Sequence, residues 1–208
     1  QAEDMVLTDL ICRAQLPIEV FMLDTERLHG DTLGLVERIE AHYGIQVRVW
    51  RPQPAVGSEY VLRFGRDALY GGVELRRQCC ALRKVEPLQR AVAGKRAWVT
   101  GMRRGRSAGR SEIALQQWDE VHGMPKFNPL AGWRENEVWS YIRGHEVPYN
   151  ALYDQGYRSV GCAPCSRPVA PWEDVRAGRW WWEQAEAREC GLHGGADGRL
   201  ARTKETVS

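Results

Sequence analysis

The chain has 208 residues, a hydrophobic fraction of 43% and a net charge of +2 at pH 7. This length supports one domain of ordinary size with its own core, and the small charge gives no argument for nucleic-acid binding by itself. No run of about 18 apolar residues occurs, so the sequence predicts no membrane-spanning helix. No secretory signal peptide is visible. Gln1 already lies in a predicted helix, so we expect the chain to lack its original N-terminus.

Helical and strand periodicities alternate along most of the chain. Asp31 is expected to cap the second helix and Gly44 to end it, whereas Pro52, Pro54 and Gly57 predict a loop. Residues 58–76 are ambiguous, with a helix as one possibility. The predicted elements are helix 3–15, strand 18–23, helix 32–43, strand 45–50, helix 79–92, strand 97–100, strands 113–118 and 126–130, and helix 135–143.

Strands that alternate with helices predict an α/β fold with a mostly parallel sheet and helices on both faces. Ligands of such folds bind beyond the carboxyl ends of the strands, where Asp24-Thr25 and Thr100-Gly101 are expected. We expect one domain over residues 1–193. The tail, residues 194–208, is rich in glycine and charge and is predicted to be disordered.

Four of the six cysteines form two pairs, Cys79-Cys80 and Cys162-x-x-Cys165. This pairing favours a metal or cluster site in a reducing cytoplasm over a disulfide framework. Four thiolates can bind zinc or a 4Fe–4S cluster. Side chains of adjacent cysteines at the start of a helix point about 100° apart, which suits a bulky cluster better than a single ion. Spacing alone leaves the cluster, a zinc site and buried core thiols open.

Lys84 follows Cys80 by four residues and is expected on the same helix face. A cation there could stabilise thiolates and contact an anionic substrate, although a solvated helix face is the simpler interpretation. Arg176 and Arg179 form a second cationic group beside the tryptophans at 180–182.

A loop rich in glycine and arginine follows the strand predicted at 97–100. Gly101 allows the backbone to approach a ligand, and Arg103, Arg104 and Arg110 could each donate two hydrogen bonds to phosphate or sulfate oxygens. A flexible surface loop is the alternative. The position of this loop directly after a strand favours a role in binding a nucleotide.

Cys190 is unpaired and lies three residues before His193. Positive charge nearby would lower the pKa of its thiol and favour a reactive thiolate. The alternative is an idle surface cysteine. Cys12 lies among apolar residues of the first predicted helix and is expected in the core.

Together, Cys79-Cys80, Cys162-x-x-Cys165 and the sequence ECGLH at 189–193 resemble the assimilatory sulfonucleotide reductases. The paired cysteines are similar to those of the branch that reduces adenosine 5′-phosphosulfate (adenylyl sulfate). Matching segments extend over nearly the whole chain, including Leu23-Asp24-Thr25, 79–87, 100–110 and 156–165.

The resemblance implies a Rossmann-like adenine-nucleotide α-hydrolase-like fold with a C-terminal catalytic tail. It implies a 4Fe–4S cluster on Cys79, Cys80, Cys162 and Cys165. It also implies that the Cys190 thiolate attacks the sulfate sulfur, and that thioredoxin or a glutaredoxin-like dithiol releases sulfite from the resulting S-sulfocysteine. The product serves sulfate assimilation and cysteine biosynthesis.

The resemblance also assigns substrate contacts. Lys84 and His193 act at the reacting centre, where Arg176 and Arg179 also match positions that hold the phosphosulfate group. Asp4, Leu23 and Gly101 match positions around the adenosine.

Two departures from the family concern the nucleotide. Gln1 stands where glycine is common at the end of the phosphate-binding turn, and the rest of that turn precedes the chain. Arg106 stands where glutamine is common.

Two alternatives are weighed against this interpretation. Reductases of 3′-phosphoadenylyl sulfate usually lack the paired cysteines. A zinc-stapled nucleic-acid-binding module would need a wider basic surface than +2 suggests, and it gives Cys190 no role. We therefore expect a cytoplasmic enzyme with no nucleic-acid or membrane partner, and the sequence leaves the oligomeric state open, a homo-oligomer included.

Overall fold

Five short strands carry the framework of the protein, whose computed structural model describes residues 1–106 and 113–184. Strand β1 (Phe21–Leu23) pairs in parallel with β2 (Arg48–Trp50), and β3 (Trp98–Val99) pairs in parallel with β5 (Met124–Phe127). Strand β4 (Gln116–Asp119) pairs antiparallel with β5 because only a short turn joins them. The expected α/β fold with parallel strand pairing is confirmed.

The helices follow the predicted order along the chain. They are α1 (Ala2–Arg13), α2 (Gly30–Tyr43), α3 (Pro54–Phe64), α4 (Val73–Cys80), α5 (Glu86–Val92) and α6 (Glu135–Gly144). Gly44 ends α2 in the left-handed conformation, with φ of 66°, as expected. The cap assignment was wrong: His29 is the N-cap of α2, and Asp31 lies in its first turn, where its charge still complements the helix dipole.

Strand β1 has helices packed on both of its faces. Phe21 and Leu23 pack with the buried Leu88 and Val92 of α5. Met22 points the other way and packs with the cluster that α2 contributes. Side chains of successive strand residues point to opposite faces, so this alternation places one strand between two helical layers. The carboxyl end of β1 is thereby fixed between them.

The structure corrects the loop predicted around Pro54. Helix α3 begins at Pro54, which occupies its first turn, where the missing amide costs no hydrogen bond. Gly57 lies inside this helix and is buried. A proline followed by a glycine resembles loop composition, but here the Arg83 guanidinium lies close to Gly57, so that a Cβ atom would stand 3.2 Å from its Nη2.

The structure also corrects the position of the adjacent cysteines. Helix α4, a π-helical turn (Ala81–Val85) and α5 follow one another without interruption, so Cys79 and Cys80 end α4 instead of starting a helix. Pro87 lies in this continuous helical stretch, where a proline ring would clash with the carbonyl four residues earlier. The wider π turn before Pro87 relieves that clash, and such turns often occur at functional sites.

Two further findings concern the remaining elements. Strands β4 and β5 lie at somewhat different positions from the predicted strands 113–118 and 126–130, because the turn at Gly123, with φ of 64°, fixes their pairing.

Helices α1 and α6 pack together through a core that includes Val6, Val138 and Ile142. Among the described residues, no helix has the length and apolar character needed to cross a membrane.

Candidate active site

The two cysteine pairs meet in one small cavity between the end of α4 and the loop at 162–165. Cys79, Cys80, Cys162 and Cys165 all line it and are each at most 8% exposed. Lys84 of the π turn lines the same cavity and is also buried. The fold therefore brings together four thiols that come from distant parts of the chain, with an ammonium group beside them.

The charges around the cavity act unequally on the four thiols. Burial tends to raise the pKa of Cys162, but the Lys84 ammonium, the Thr25 hydroxyl and the Arg179 guanidinium outweigh burial and lower it. Burial and the neighbouring Cys162 raise the pKa of Cys165 to about 11. Burial likewise raises the pKa of Cys79. Among Cys79, Cys162 and Cys165, Cys162 is thus the thiol that its cationic neighbours favour as a thiolate.

Arg76, one turn before the adjacent cysteines, supports the floor of the cavity. It is fully buried, forms a two-fold ion pair with Glu183 and donates a hydrogen bond to Cys80. Its guanidinium also lies 4.8 Å from the ring centroid of Trp180. Trp180 is 1% exposed and packs against Cys162 and Cys165. The residues that follow Trp180 are thereby joined to α4.

The turn after β1 contacts the cavity from the other side. The Thr25 hydroxyl lies 3.1 Å from the Cys162 sulfur. Arg83 donates hydrogen bonds to the Thr25 carbonyl at 3.0 Å and to the Glu26 carboxylate at 2.9 Å. Glu26 has a φ of 58°, a conformation that non-glycine residues seldom adopt. The Arg83 guanidinium holds this turn in place against the cysteine loop.

The loop that carries Cys162 and Cys165 pairs with the segment that carries the C-terminal arginines. Ser166 forms an isolated β-bridge with Arg179, and the amide of Arg167 donates to the Gly178 carbonyl at 3.0 Å. Arg179 is 5% exposed, and one of its terminal nitrogens donates to the Val160 carbonyl at 3.1 Å. A cationic side chain is therefore fixed next to the thiol cavity.

A second group of predicted residues meets at the N-terminus of α1. A Cβ atom on Gly101 would lie 2.6 Å from Asp4 Oδ1, so only glycine allows this loop to approach the helix so closely. The Gln1 side-chain amide donates to the Val160 carbonyl, the same oxygen that accepts from Arg179. The Val160 carbonyl therefore links the N-terminus of α1, where Asp4 and Gly101 meet, to the Arg179 side chain.

The remaining predicted residues take varied positions. Arg103 forms a buried ion pair with Glu3 at 2.8 Å, and Arg104 donates to the Ile113 carbonyl at 2.7 Å, so both stabilise the basic loop against its surroundings. Leu23 is half-buried under α5, and the Arg176 guanidinium lies 5.9 Å from the Trp180 ring centroid. Arg110, Cys190 and His193 lie outside the described residues.

Sequence reasoning did not select several residues that surround the thiols. Arg76 is three residues before Cys79, a spacing that places both near one helix face and could have suggested it. Arg83 was not missed: it follows Cys79 by four residues, the same spacing by which Lys84 follows Cys80. Thr25 was expected to line the ligand site at the end of a strand, but its contact with a cysteine was not foreseen. Trp180 was noted among three tryptophans, and nothing in that run distinguished it from its neighbours.

Two further observations concern where the functional site lies. Among residues 1–106 and 113–184, no three His, Cys, Asp or Glu side chains stand close enough together to hold a single metal ion. A larger, open cleft lies between α2 and α6, lined by Arg38, His42 and Arg143, and none of the described thiols lines it. We place the site at the cysteine cavity because four buried thiols and the Lys84 ammonium converge there.

The sequence and the fold agree with a known family. The sequence profile of the phosphoadenosine phosphosulfate reductase domain matches residues 2–168, and the chain belongs to this family. The crystal structure of phosphoadenylyl-sulfate (PAPS) reductase from Candida auris, a phosphate complex, matches with a TM-score of 0.67 and 29% identity. That match covers 81% of this chain and 79% of the Candida auris chain.

Relatives within the family carry a more specific name. The adenosine 5′-phosphosulfate reductase of Allochromatium vinosum is 54% identical over 92% of this chain and 75% of its own length. The proteins of the same name from Burkholderia cepacia and Pseudomonas aeruginosa are 49% and 45% identical, over 92% and 93% of this chain and 77% and 74% of their own lengths.

Proposed function

We propose that the protein reduces adenosine 5′-phosphosulfate to sulfite and AMP, in sulfate assimilation and cysteine biosynthesis. The observation that carries this proposal is the convergence of four buried thiols with Lys84 in one cavity. Relatives named adenosine 5′-phosphosulfate reductase, about 50% identical in sequence over most of the chain, support it. Free thiols at all five described cysteines are typical of a reducing cytoplasm, where we place the enzyme.

The cavity fits a 4Fe–4S cluster held by Cys79, Cys80, Cys162 and Cys165. Such clusters are bound by four cysteine thiolates, and four buried thiolates need nearby cations to offset their charge. Lys84 and Arg83 line the same cavity, and Arg76 donates to Cys80. The bound cluster would supply a compact anionic centre beside the substrate site. Lys84, which lines the same cavity, would offset part of the charge of that centre and would be available to the anionic substrate.

The substrate anion would bind on the cationic side of this arrangement. Phosphosulfate oxygens are compact and charged, and they are held best by fixed guanidinium and ammonium donors. Arg179 is buried and fixed, and its charge already acts on Cys162. Asp4 and Gly101 would face the adenosine, because they meet at the α1 terminus that the Val160 carbonyl links to Arg179.

The reaction would use Cys190 as the nucleophile. Its thiolate forms a bond to the sulfate sulfur, the S–O bond to the AMP phosphate breaks, and AMP leaves with that electron pair. A thioredoxin or glutaredoxin-like dithiol then attacks the Cys190 sulfur and releases sulfite. The second thiol of the dithiol resolves the mixed disulfide, returns Cys190 as a thiolate and leaves the partner oxidised.

The other cysteines support this assignment. Four line the cavity and are the candidate cluster ligands. Cys12 lies on α1, where burial and the charge of Asp9 raise the pKa of its thiol, so it is a poor nucleophile. Cys190 has neither role, and in the sequence it precedes His193 by three residues.

The test is sulfite release from adenosine 5′-phosphosulfate with thioredoxin present. We expect turnover by the wild type, none by Cys190→Ser, and normal turnover by Cys12→Ser. Without reductant, the peptide that contains Cys190 should gain about 80 Da, the mass of one SO₃ group transferred to a thiolate. That mass on Cys12 or on a cavity cysteine, or turnover by Cys190→Ser, would show that the mechanism is wrong.

Reduction of the 3′-phosphorylated nucleotide is the second candidate, because the Candida auris reductase in the same family carries that name. We favour the unphosphorylated ribose because the paired cysteines are typical of that branch. The comparison is kcat/KM for the two nucleotides under the same conditions. A preference for the 3′-phosphorylated substrate would reverse this choice.

A further inference from the structure

The Arg179 guanidinium is held by contacts on several sides. Its Cζ lies 4.5 Å from the Trp180 ring centroid, and one terminal nitrogen donates to the Val160 carbonyl at 3.1 Å. Its Nε is buried and, within the described part of the chain, makes no hydrogen bond. A buried cation with a free donor is suited to an anionic ligand, because leaving such a donor unmatched is costly.

Gly161 provides the space in which this guanidinium lies. A Cβ atom on Gly161 would stand 2.5 Å from Arg179 Cζ and 2.9 Å from Nη1, and closer still to Nη2. Real side chains do not approach so closely. The φ angle of Gly161 is not in the left-handed region, so its backbone conformation would accept other residues. The absence of a side chain is required by Arg179 and not by the turn.

We propose that Gly161 is a positioning residue, which fixes the Arg179 guanidinium for the sulfate end of the substrate. This inference rests on the proposed function, since it deepens the role given there to Arg179. A methyl group at position 161 would displace the guanidinium from the Val160 carbonyl and from the Trp180 ring. The displaced cation would no longer present its free Nε to the same point beside Cys162.

The displacement would affect the ligand more than the fold. The atoms that collide are the far end of a flexible side chain, so Arg179 can move while the backbone at Cys162 stays in place. Gly178 provides the contrast. A Cβ atom there would collide with the Arg167 carbonyl oxygen and stand 3.0 Å from Val169 Cγ1, and a backbone carbonyl cannot move without disturbing the pairing of the two segments.

A double-mutant cycle separates this positioning role from a general structural one. The variants are Gly161→Ala, Arg179→Ala and the double substitution, with Gly34→Ala as the matched control because its Cβ would meet no atom within 4 Å. KM for adenosine 5′-phosphosulfate and Kd for AMP are measured on protein with matched iron content. Two residues that act through one another give non-additive effects.

We expect Gly161→Ala to raise KM roughly tenfold or more, in line with loss of a hydrogen bond to a charged group. In the Arg179→Ala background the same substitution should change KM by less than about twofold. Kd for AMP should change much less than KM, because AMP has no sulfate group. Gly34→Ala should match the wild type.

Three outcomes decide the question. Equal increases of KM in both backgrounds, or an equal loss of AMP binding, would overturn the role of Gly161. A wild type that releases no sulfite would instead overturn the proposed function. If Gly161→Ala does not fold, the same exchange is made in Arg179→Lys, which lacks the guanidinium: folding there supports the role, and failure there overturns it.

Discussion

The Arg76 guanidinium and the Glu183 carboxylate face each other in a buried ion pair, with Nε–Oε1 at 2.9 Å and Nη2–Oε2 at 2.7 Å. Their side chains are 0% and 3% exposed. The pair joins helix α4, which ends in the adjacent cysteines, to the segment after Trp180. This ion pair is kept only while these two parts of the chain stay together.

Removal of one partner should therefore be costly. We expect Arg76→Ala to lower the free energy of unfolding by about 3–5 kcal/mol, because the Glu183 carboxylate would lose its two-fold guanidinium partner and stay buried. Arg134→Ala is the control, since the Arg134–Glu137 pair is exposed to solvent and its loss should change the free energy of unfolding little. Urea unfolding of both variants measures the difference. Similar losses in the two variants would contradict the buried pair.

The second prediction concerns Lys84. Lys84→Ala removes the ammonium that acts most strongly on Cys162, and we expect kcat/KM to fall about 10- to 100-fold, in line with loss of a charged hydrogen bond. Lys95→Ala should leave kcat/KM within about twofold, because Lys95 forms an exposed pair with Glu19. Sulfite release by both variants measures this. A similar loss of kcat/KM in the two variants would mean that Lys84 has no specific role in the reaction.

The third prediction concerns the four cavity cysteines. Replacement of any one of Cys79, Cys80, Cys162 or Cys165 by serine should remove iron, acid-labile sulfide and activity together, because a 4Fe–4S cluster needs all four thiolates. Cys12→Ser should retain all three. Metal analysis with sulfite assays gives the answer. Purified protein with zinc in place of iron, or an active variant without iron, would rule out the cluster.

The fourth prediction concerns the pH dependence of stability through Asp9. Burial tends to raise the pKa of this carboxyl, but hydrogen bonds from Tyr141, Tyr43 and Arg13 outweigh burial and lower it. A carboxyl with a lowered folded-state pKa contributes stability above its unfolded pKa of about 3.9, and that contribution is lost as the pH falls through the folded value.

The measurement is the difference in unfolding free energy between wild type and Asp9→Asn across pH 7 to 3. We expect the difference to be constant from neutral pH to about pH 5 and to shrink below about pH 4, where the unfolded chain binds the proton first. Thr32→Ala, in another hydrogen-bonded pair without a carboxyl, should show no such change. A difference that stays constant to pH 3 would contradict the lowered pKa of Asp9.

Local periodicity was sufficient to predict most of the fold. Helix α1, helix α2 with Gly44 at its end, and the strands at β1 and β2 follow directly from the spacing of apolar residues. The start of helix α3 was missed because Pro54 and Gly57 have loop propensity, whereas its later residues fall in the stretch 58–76, for which a helix was left open. The π turn was missed because i to i+5 hydrogen bonding leaves no sequence pattern.

Site residues could be predicted from the sequence where the residue type itself indicates a particular chemistry. The cysteines could be selected from spacing, since few residue types bind metals. Lys84 could not, because a solvated helix face explains its spacing as well, and it was selected through the family resemblance. Thr25, Arg76 and Gly161 could not, because their importance comes from partners far away in the chain: Thr25 from Cys162, Arg76 from Glu183, and Gly161 from Arg179. A threonine, an arginine or a glycine is too common for its presence alone to indicate such a contact.

The cysteine cavity also has a consequence for the order in which the chain folds. Thr25 and Cys162 touch although they are 137 positions apart, and Arg76 and Glu183 are 107 apart. Contacts with such long sequence separation close large loops and form slowly, whereas the β1–α2–β2 unit needs only local closure. We therefore expect the thiol cavity to be among the last parts of the native state to assemble. During synthesis Cys79 and Cys80 would stay accessible to solvent until the second pair arrives.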